Sequence, residues 1–332
     1  MTEKILLTGG SGFLGAHLTK LLQRSFKVHV TFHYSPLLSI DTRYGIRDSE
    51  SKKRNQASGI KNPASGIWHP VSGIHLDITN PLEVKTTVGR IQPALIIHTA
   101  ANTNLRHCEE TPEAAWQLNM EGTHNLAKAA KEVGARFIYL STDSVFDGNG
   151  QYYKETDKAN PINVYGQTKL EGEKVISGLL SDYVILRLAL LYGWSLTSST
   201  SFTEDLINEL SDGKTINAFT DEYRNPLHVL NLCEIIEEII QNKSINGLFH
   251  VAGPQRVNRY EQALKAAEIF ELDQTQIHPI TTDEIALTYP RPKDCSLNKE
   301  KLSSVINTKI WTLEEGLRQM LDTRYGIRDK TS

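Results

Sequence analysis

Thr8-Gly9-Gly10-Ser11-Gly12-Phe13-Leu14-Gly15 is the stretch that decides the fold of this 332-residue chain. It follows the apolar run Lys4–Thr8 directly and opens a segment with helical spacing. Gly9 permits a tight turn, Gly12 lets the backbone approach a pyrophosphate, and Gly15 allows a helix to pack closely on a strand. The helix N-terminus adds free N–H donors and a partial positive charge. The stretch therefore predicts a strand, a phosphate-binding turn and a helix.

Apolar runs and helical patterns alternate over the first two thirds of the chain. The runs are continuous in Val, Ile and Leu, which is typical of parallel strands covered on both faces. The predicted strands are Lys4–Thr8, Lys27–Phe32, Ile74–Ile78, Ala94–Thr99, Arg136–Ser141 and Tyr183–Leu188. The predicted helices between them are Phe13–Arg24, Pro81–Ile91, Pro112–Val133 and Val164–Leu180. This alternation predicts an α/β fold with a doubly wound parallel sheet of the Rossmann type.

The remainder of the chain has a less regular pattern. It predicts helices and one strand at Thr203–Leu210, Leu227–Gln241, Leu248–Val251, Tyr260–Phe270 and Leu313–Leu321. We expect a Rossmann domain over residues 1–193 with a return segment at 227–253. A smaller C-terminal substrate lobe would comprise residues 194–226 and 254–321, followed by a tail at 322–332.

Residues 37–72 have no usable period and interrupt the predicted domain. They contain a tandem heptapeptide, Ala57–Pro63 and Ala64–Pro70, and an octapeptide, Asp41–Asp48, that recurs letter for letter at Asp322–Asp329. Structureless loops longer than about 12–15 residues are uncommon in compact domains, whereas surface loops tolerate long inserts. The segment is therefore predicted to be a tolerated, flexible insertion; a lid or a contact surface is the alternative.

Composition excludes several classes of protein. A net charge of −3 gives no footprint for nucleic acid. Three widely separated cysteines, Cys108, Cys233 and Cys295, form neither a disulfide framework nor a metal motif, which favours a reducing compartment. The longest apolar stretch, Tyr183–Trp194, is broken by Arg187 and is shorter than the ~20 residues of a membrane helix. We expect a cytoplasmic protein that binds no nucleic acid, membrane or metal.

The end of the second strand bears on which dinucleotide the glycine turn binds. Val30-Thr31-Phe32-His33 has no Asp or Glu to hold the ribose 2′-hydroxyl of NAD. His33 or the basic insertion could then accept a 2′-phosphate, which favours NADP(H) and leaves NAD(H) open. The alternative is that His33 merely ends the strand. Contacts to the dinucleotide are also predicted for Asp77 and Ile78, beside the adenine, and for the small residues Thr99, Ala100 and Ala101, although all five could be ordinary strand-end residues.

A second group of motifs suits the reduction of a carbonyl. Tyr165 and Lys169 share one helix face, ~6 Å apart along the axis, and Thr142 ends the preceding strand. Tyrosine has a pKa of ~10, and a nearby ammonium lowers it, so Lys169 would make Tyr165 a better proton donor to the developing oxyanion. Thr142 would hydrogen-bond the same oxygen, and Lys169 could also hold the ribose hydroxyls of the cofactor. The motif Tyr-x-x-x-Lys alone usually marks a solvated helix face. It becomes a specific signal here because it follows the glycine turn and the strand-end residues Ser141-Thr142-Asp143 in that order.

Together these motifs resemble an extended short-chain dehydrogenase/reductase. The likeness rests on Thr8–Gly15, Asp77–Thr79, Ser141–Gly148, Asn160-Pro161, Tyr165–Lys169 and Leu186-Arg187. Ser141–Gly148 is similar to the dTDP-4-dehydrorhamnose reductase branch in particular. The resemblance implies NAD(P)H on the Rossmann domain and a nucleotide-sugar in the smaller lobe. It also implies catalytic roles for Thr142, Tyr165 and Lys169, with Asp143 as an active-site neighbour.

The resemblance extends more loosely into the C-terminal half. Tyr223–Val229 and Arg291–Asp294 are similar to the family's segments near the substrate, which implies diphosphate contacts for Arg224 and Arg291. A structural salt bridge is the competing interpretation for both arginines. Asn225 departs from the family, where threonine is usual. Related enzymes often form homodimers through the helices at 112–133 and 164–180, so the resemblance implies a homodimer as one option and leaves the oligomeric state open.

The expected activity is NAD(P)H-dependent reduction of the keto group of a nucleotide-linked deoxysugar. One alternative is an epimerase or dehydratase on the same scaffold, in which Asp143 would act as an extra acid or base. Another is an NADP-binding regulatory subunit that resembles the β-subunit of methionine adenosyltransferase and serves a partner enzyme.

Overall fold

A computed structural model of the chain describes residues 3–33, 72–285 and 288–328. The strands in chain order are β1 Lys4–Thr8, β2 Lys27–Phe32, β3 Ser72–His75, β4 Leu95–His98, β5 Arg136–Thr142, β6 Tyr183–Leu188, β7 Leu191–Tyr192, β8 Ile216–Phe219, β9 Tyr223–Arg224, β10 Leu227–His228, β11 Gly247–Val251, β12 Val257–Asn258 and β13 Ile277–Ile280. The helices are α1 Phe13–Leu22, α2 Pro81–Ile91, α3 Leu105–Glu110, α4 Pro112–Trp116, α5 Gly122–Val133, α6 Val164–Leu179, α7 Phe202–Ser211, α8 Val229–Gln241, α9 Arg259–Ile269, α10 Glu300–Ser303 and α11 Leu313–Arg328.

Seven of these strands form one parallel sheet in the order β11-β6-β5-β4-β1-β2-β3. Successive side chains of a strand point to opposite faces, so Ile5 and Leu7 of β1 pack on one side and Leu6 on the other. Helices α1 and α8 cover the first face, and α2, α5 and α6 cover the second. Burial on both faces explains the continuous apolar runs, and it confirms the predicted doubly wound α/β fold.

A second apolar cluster lies in the C-terminal part of the chain. It joins α7, α9 and α11 with the short parallel pair formed by β8 and β13. The start of α9 is fixed by a capping box between Asn258 and Glu261. This cluster has its own core, as the predicted smaller lobe requires, but the exact division of the chain into two domains stays a prediction.

Several predicted boundaries are wrong. The third strand covers Ser72–His75, not Ile74–Ile78, and α11 continues to Arg328, seven residues past its predicted end at Leu321. The predicted helix Pro112–Val133 is interrupted by a π-helical turn at Gln117–Glu121.

Of the predicted insertion at residues 37–72, the structure describes only residue 72, where β3 begins. The predicted flexibility of residues 37–71 and the first octapeptide copy lie outside the described residues. The second copy begins inside α11, because residues 322–328 belong to this helix. No helix in the described part of the chain is long and apolar enough to span a lipid bilayer.

Candidate active site

The site lies where the order of the parallel strands reverses. The chain runs from β1 to β2 and β3 on one side, and then returns to β4 on the other side of β1. In open α/β sheets, ligands bind at the carboxyl ends of the strands at such a switch point. The turn after β1 and the segment after β4 meet there, since a Cβ on Gly9 would lie 2.7 Å from the backbone nitrogen of Ala100. Gly9 also has a φ of +75°, which favours glycine.

The glycine turn forms an open cradle at the start of α1. Gly12 is the N-cap of α1 and supplies no capping side chain to the first N–H groups of the helix. A Cβ on Gly12 would meet only the Gly9 carbonyl oxygen among the described residues, at 3.3 Å. Gly15 is enclosed instead, because its Cβ would lie 2.1 Å from that same oxygen. Close packing at Gly15 and open space at Gly12 fit the pyrophosphate of a dinucleotide on the helix N-terminus.

The other residues predicted around the cofactor have mixed environments. Leu14 and Ile78 are buried in the two core clusters, so their side chains serve packing. Thr99 donates its hydroxyl to the Thr8 carbonyl at 2.7 Å, which ties the end of β4 to the end of β1. The remaining predicted contacts lie in the turn, in α1 and after β4, at Ser11, Phe13, Ala100 and Ala101.

The end of β2 brings His33 near a carboxylate that sequence reasoning did not place there. His33 Nε2 lies 3.8 Å from Asp77 Oδ2, and both side chains are about one third exposed. The His75 ring is also close, with its centroid 5.6 Å from that of His33. Burial raises the pKa of Asp77, but hydrogen bonds from Thr79 and the nearby imidazoles bring it below its usual value. Two imidazoles and one carboxylate therefore lie together where β2 and β3 end.

Thr142 and Asp143 continue from β5 into a tight turn against the start of α6. Thr142 Oγ1 donates to Asp143 Oδ1 at 3.2 Å and accepts from the Ser144 N–H at 3.1 Å. A Cβ on Gly166 would lie 2.1 Å from the Ser144 carbonyl oxygen, so α6 packs directly on this turn. The close packing brings Tyr165, the residue before Gly166, next to Thr142.

The pKa of Tyr165 differs from the prediction. Burial of the hydroxyl raises this pKa well above its usual value; a hydrogen bond with Thr142 lowers it, and the nearby Asp143 raises it further. The expectation that Lys169 lowers it is wrong in this structure. Lys169 Nζ lies 3.9 Å from the centroid of the Tyr139 ring on β5, and burial lowers the pKa of the ammonium group to about 7. Helical spacing places the two residues on one face, but the Lys169 side chain packs onto the sheet.

The two predicted substrate arginines meet in a buried charge cluster. Arg224 Nε lies 3.1 Å from Asp143 Oδ2, and its Nη2 lies 3.6 Å from Glu222. Arg291 Nη2 binds both oxygens of Glu222, at 2.9 and 2.8 Å. Arg259 Nη2 also reaches Glu222, at 3.1 Å. The cluster therefore links the Thr142 turn to β9 and to the start of α9 in the C-terminal part of the chain.

Sequence reasoning missed Glu222 and Arg259 as members of this cluster. Glu222 precedes Tyr223-Arg224, and Arg259 is the first residue of a helix marked by the signal Asn258-x-x-Glu261. Each lies beside a recognised motif, but only the fold brings them together. Among residues 3–33, 72–285 and 288–328, no group of three or more His, Cys, Asp or Glu side chains could hold a metal ion.

Known proteins of similar sequence include reductases and subunits of another enzyme. A family model described as the RmlD substrate binding domain matches residues 3–325. Methionine adenosyltransferase 2 subunit beta of Xenopus tropicalis is 33% identical over 260 residues, which are 77% of this chain and 75% of the relative. The dTDP-4-dehydrorhamnose reductase of Salmonella typhimurium is 31% identical over 257 residues, which are 74% of this chain and 84% of the relative.

The same likeness is found among solved structures. The crystal structure of dTDP-4-dehydrorhamnose reductase from Bacillus anthracis in complex with NADP superposes with a TM-score of 0.79 at 26% identity, covering 97% of this chain and 100% of that chain. The resemblance predicted from the motifs is thereby confirmed over nearly the whole chain. With its glycine cradle at the switch point of a doubly wound sheet, the chain belongs to the RmlD substrate binding domain family, within the extended short-chain dehydrogenases/reductases.

Proposed function

We propose that this protein is an NAD(P)H-dependent reductase of the keto group of a nucleotide-linked deoxysugar, with dTDP-4-dehydro-L-rhamnose as the first substrate to test. The observation that carries the proposal is the packing of Tyr165 against Thr142 at the carboxyl edge of the sheet. A bound nicotinamide dinucleotide supplies a hydride. Tyr165 is protonated at neutral pH, as a tyrosine ordinarily is, and holds the proton that the new alkoxide requires. Thr142 would orient the carbonyl by a hydrogen bond to the same oxygen.

The cofactor proposal rests on the cradle at Gly9, Gly12 and Gly15. NADP(H) is proposed as the preferred form because His33 and His75 lie where β2 and β3 end, and a protonated imidazole attracts a 2′-phosphate. Asp77 opposes this attraction, so NAD(H) is a necessary comparison in every assay. The relative from Bacillus anthracis was solved with NADP.

The proposed substrate class follows from the arginine cluster. Arg224, Arg259 and Arg291 carry three positive charges against the two carboxylates of Asp143 and Glu222. Arg259 Nη1 and Arg291 Nε are buried without a hydrogen-bond partner among the described residues. Arg291 has the most exposed side chain of the three, at 21%. An anion with several oxygens, such as the diphosphate of a nucleotide-sugar, would satisfy these donors.

Two other functions give different experimental outcomes. A dehydratase would need Asp143 as an acid or base, but its carboxylate is ion-paired with Arg224 and accepts hydrogen bonds from Thr142 and Ser144. The relatives named as subunits of methionine adenosyltransferase favour a regulatory role as the second candidate. Such a subunit would bind NADP(H) without reducing a nucleotide-sugar. Pairing of two copies through α5 and α6 stays a prediction.

The test is consumption of NADPH, followed at 340 nm, with a panel of nucleotide-linked 4-keto deoxysugars. Tyr165→Phe should lower turnover by about 10²–10⁴-fold while leaving NADPH binding nearly intact, because it removes only the proton donor. Tyr152→Phe is the matched control, since Tyr152 is 46% exposed. Unchanged turnover in Tyr165→Phe contradicts the proposed mechanism. Tight NADPH binding without turnover on any sugar, with co-elution of a methionine adenosyltransferase catalytic subunit, would support the regulatory role instead.

A further inference from the structure

Lys169 is a buried cation among titratable groups of α6 and the central sheet. The residue is 2% exposed. Its neighbours among the described residues include Tyr139 of β5, His98 of β4 and Glu173 of α6, and the Glu173 carboxylate is paired with Arg187 of β6. Burial lowers the pKa of Lys169, and the charge of Glu173 raises it. Burial also holds the pKa of His98 well below its usual value, so His98 adds no positive charge at neutral pH.

The Glu173 carboxylate is held from two neighbouring strands. Arg187 donates to both of its oxygens, with Nε at 3.0 Å from Oε1 and Nη2 at 2.7 Å from Oε2, and Ser141 Oγ donates to Oε1 at 2.5 Å. Ser141 and Arg187 are register partners in the β5–β6 ladder. Since side chains alternate along a strand, Tyr139 and Ser141 leave β5 on the same face. The sheet therefore presents one surface to Lys169 and Glu173, which are four residues apart on α6.

We propose that Glu173, fixed by Ser141 and Arg187, is a positioning residue that favours the protonated form of Lys169 in the proposed reductase. This inference rests on the proposed function and on the predicted contact between the Lys169 ammonium and the cofactor ribose. The Glu173 carboxylate is paired with Arg187 and acts on Lys169 from one helical turn away. Of these two cations, only the lysine readily loses its proton. Removing the carboxylate leaves the two cations to repel each other, so Lys169 deprotonates at lower pH. Without the Arg187 charge, the Glu173 carboxylate interacts with Lys169 without competition from the arginine. Lys169 should then lose its proton at higher pH.

The opposite signs of these two effects give a direct test. The ionisation of Lys169 is followed by NMR in protein labelled with ¹³Cε-lysine, and its signal is identified by its loss in Lys169→Met. We expect the titration midpoint to fall by about one pH unit or more in Glu173→Gln, a tenfold loss of proton affinity, and to rise in Arg187→Gln. Glu173→Asp retains the charge and should return the midpoint toward that of the wild type. Glu171→Gln is the matched control, because Glu171 lies on the same helix, 40% exposed and paired with Lys174.

Glu173→Gln leaves Arg187 buried without its partner and could fail to fold, so thermal unfolding is measured for each variant. In that case Arg187→Gln carries the test, because Lys169 itself can pair with the released carboxylate. Midpoints equal to the wild-type value in folded Glu173→Gln or Arg187→Gln would overturn the positioning role. The titration needs no substrate, so it decides this inference even where no sugar is reduced. Absence of turnover with every nucleotide-sugar would contradict the proposed function alone.

Discussion

Gly12→Ala is expected to weaken cofactor binding while leaving the protein folded. Gly12 is the N-cap of α1 and has a φ of −81°, which alanine adopts without strain. Among the described residues its new Cβ would contact only the Gly9 carbonyl oxygen, at 3.3 Å. The methyl group would therefore fit after a shift of a few tenths of an ångström. It would stand over the free N–H groups where the pyrophosphate is proposed to bind.

The size of each effect follows from these contacts. Alanine is less favourable than glycine at an N-cap, and we expect a loss of about 1 kcal/mol in the free energy of unfolding. For a domain of 150–250 residues, such a loss lowers Tm by about 2–4 °C. A hydrogen bond to a charged group contributes about 1.5–3 kcal/mol, and every 1.4 kcal/mol is tenfold in affinity. Displacing the phosphate from one such donor should therefore weaken NADPH binding by roughly 10- to 100-fold.

NADPH fluorescence titration and thermal unfolding measure the two effects separately. Gly89→Ala is the matched control, because Gly89 is exposed on α2 and its Cβ would have nothing within 4 Å. This control should gain up to about 1 kcal/mol in stability and bind NADPH as the wild type does. Gly15→Ala should lose both stability and affinity, since its Cβ would lie 2.1 Å from backbone. Wild-type NADPH affinity in folded Gly12→Ala would refute the placement of the phosphates on α1.

Two further predictions concern stability. Burial raises the pKa of Glu222, but Arg259, Arg224 and Arg291 bring it to about 2, below the ordinary 4.5. A depressed carboxylate pKa stabilises the fold above pH ~4.5, on the order of 3 kcal/mol, and this contribution is lost as the pH falls toward 2. Urea unfolding between these pH values should show the loss in the wild type, and a slope that persists in folded Glu222→Gln would contradict it. Asn258→Ala removes the capping box of α9 and should cost about 1 kcal/mol by thermal unfolding, whereas an unchanged Tm would show that the cap is dispensable.

The sheet and the glycine cradle were predictable because their signals are local. Each strand is a continuous apolar run, and Gly9–Gly15 specifies its own turn. The π-helical turn at Gln117–Glu121 was not predictable, because the contacts made there are distant in sequence. Asn119, within this turn, donates to Thr168 on α6 at 3.1 Å and accepts from the Asn102 N–H at 2.8 Å. Such tertiary hydrogen bonds override the regular helical period of the segment.

The ionisation of the site depends on the fold even more strongly. The spacing of Tyr165 and Lys169 predicted a shared helix face, and from it a lower pKa for the tyrosine. The direction was wrong because burial of Tyr165 dominates, and because Tyr139 on β5 attracts the Lys169 ammonium. The spacing of residues along a helix predicts neither the burial of Tyr165 nor the contact of Lys169 with Tyr139. The raised pKa keeps Tyr165 protonated at neutral pH, as the reductive direction requires, but it makes the hydroxyl a weaker acid than the lowered pKa predicted from the sequence would.

The ion pair between Asp143 and Arg224 has consequences for the choice between reductase and dehydratase. Both side chains are buried, and removing one partner of such a pair typically costs about 3–5 kcal/mol because the other charge is left unpaired. A dehydratase would need the Asp143 carboxylate to take up and release a proton, and each protonation would leave Arg224 with less compensating charge. A reductase needs only the Tyr165 hydroxyl and the Thr142 contact, so the ion pair can persist through the reaction. Burial raises the pKa of Asp143, but the Arg224 charge and the hydrogen bonds from Thr142 and Ser144 oppose its protonation, and these contacts favour the chemistry that leaves Asp143 ionised.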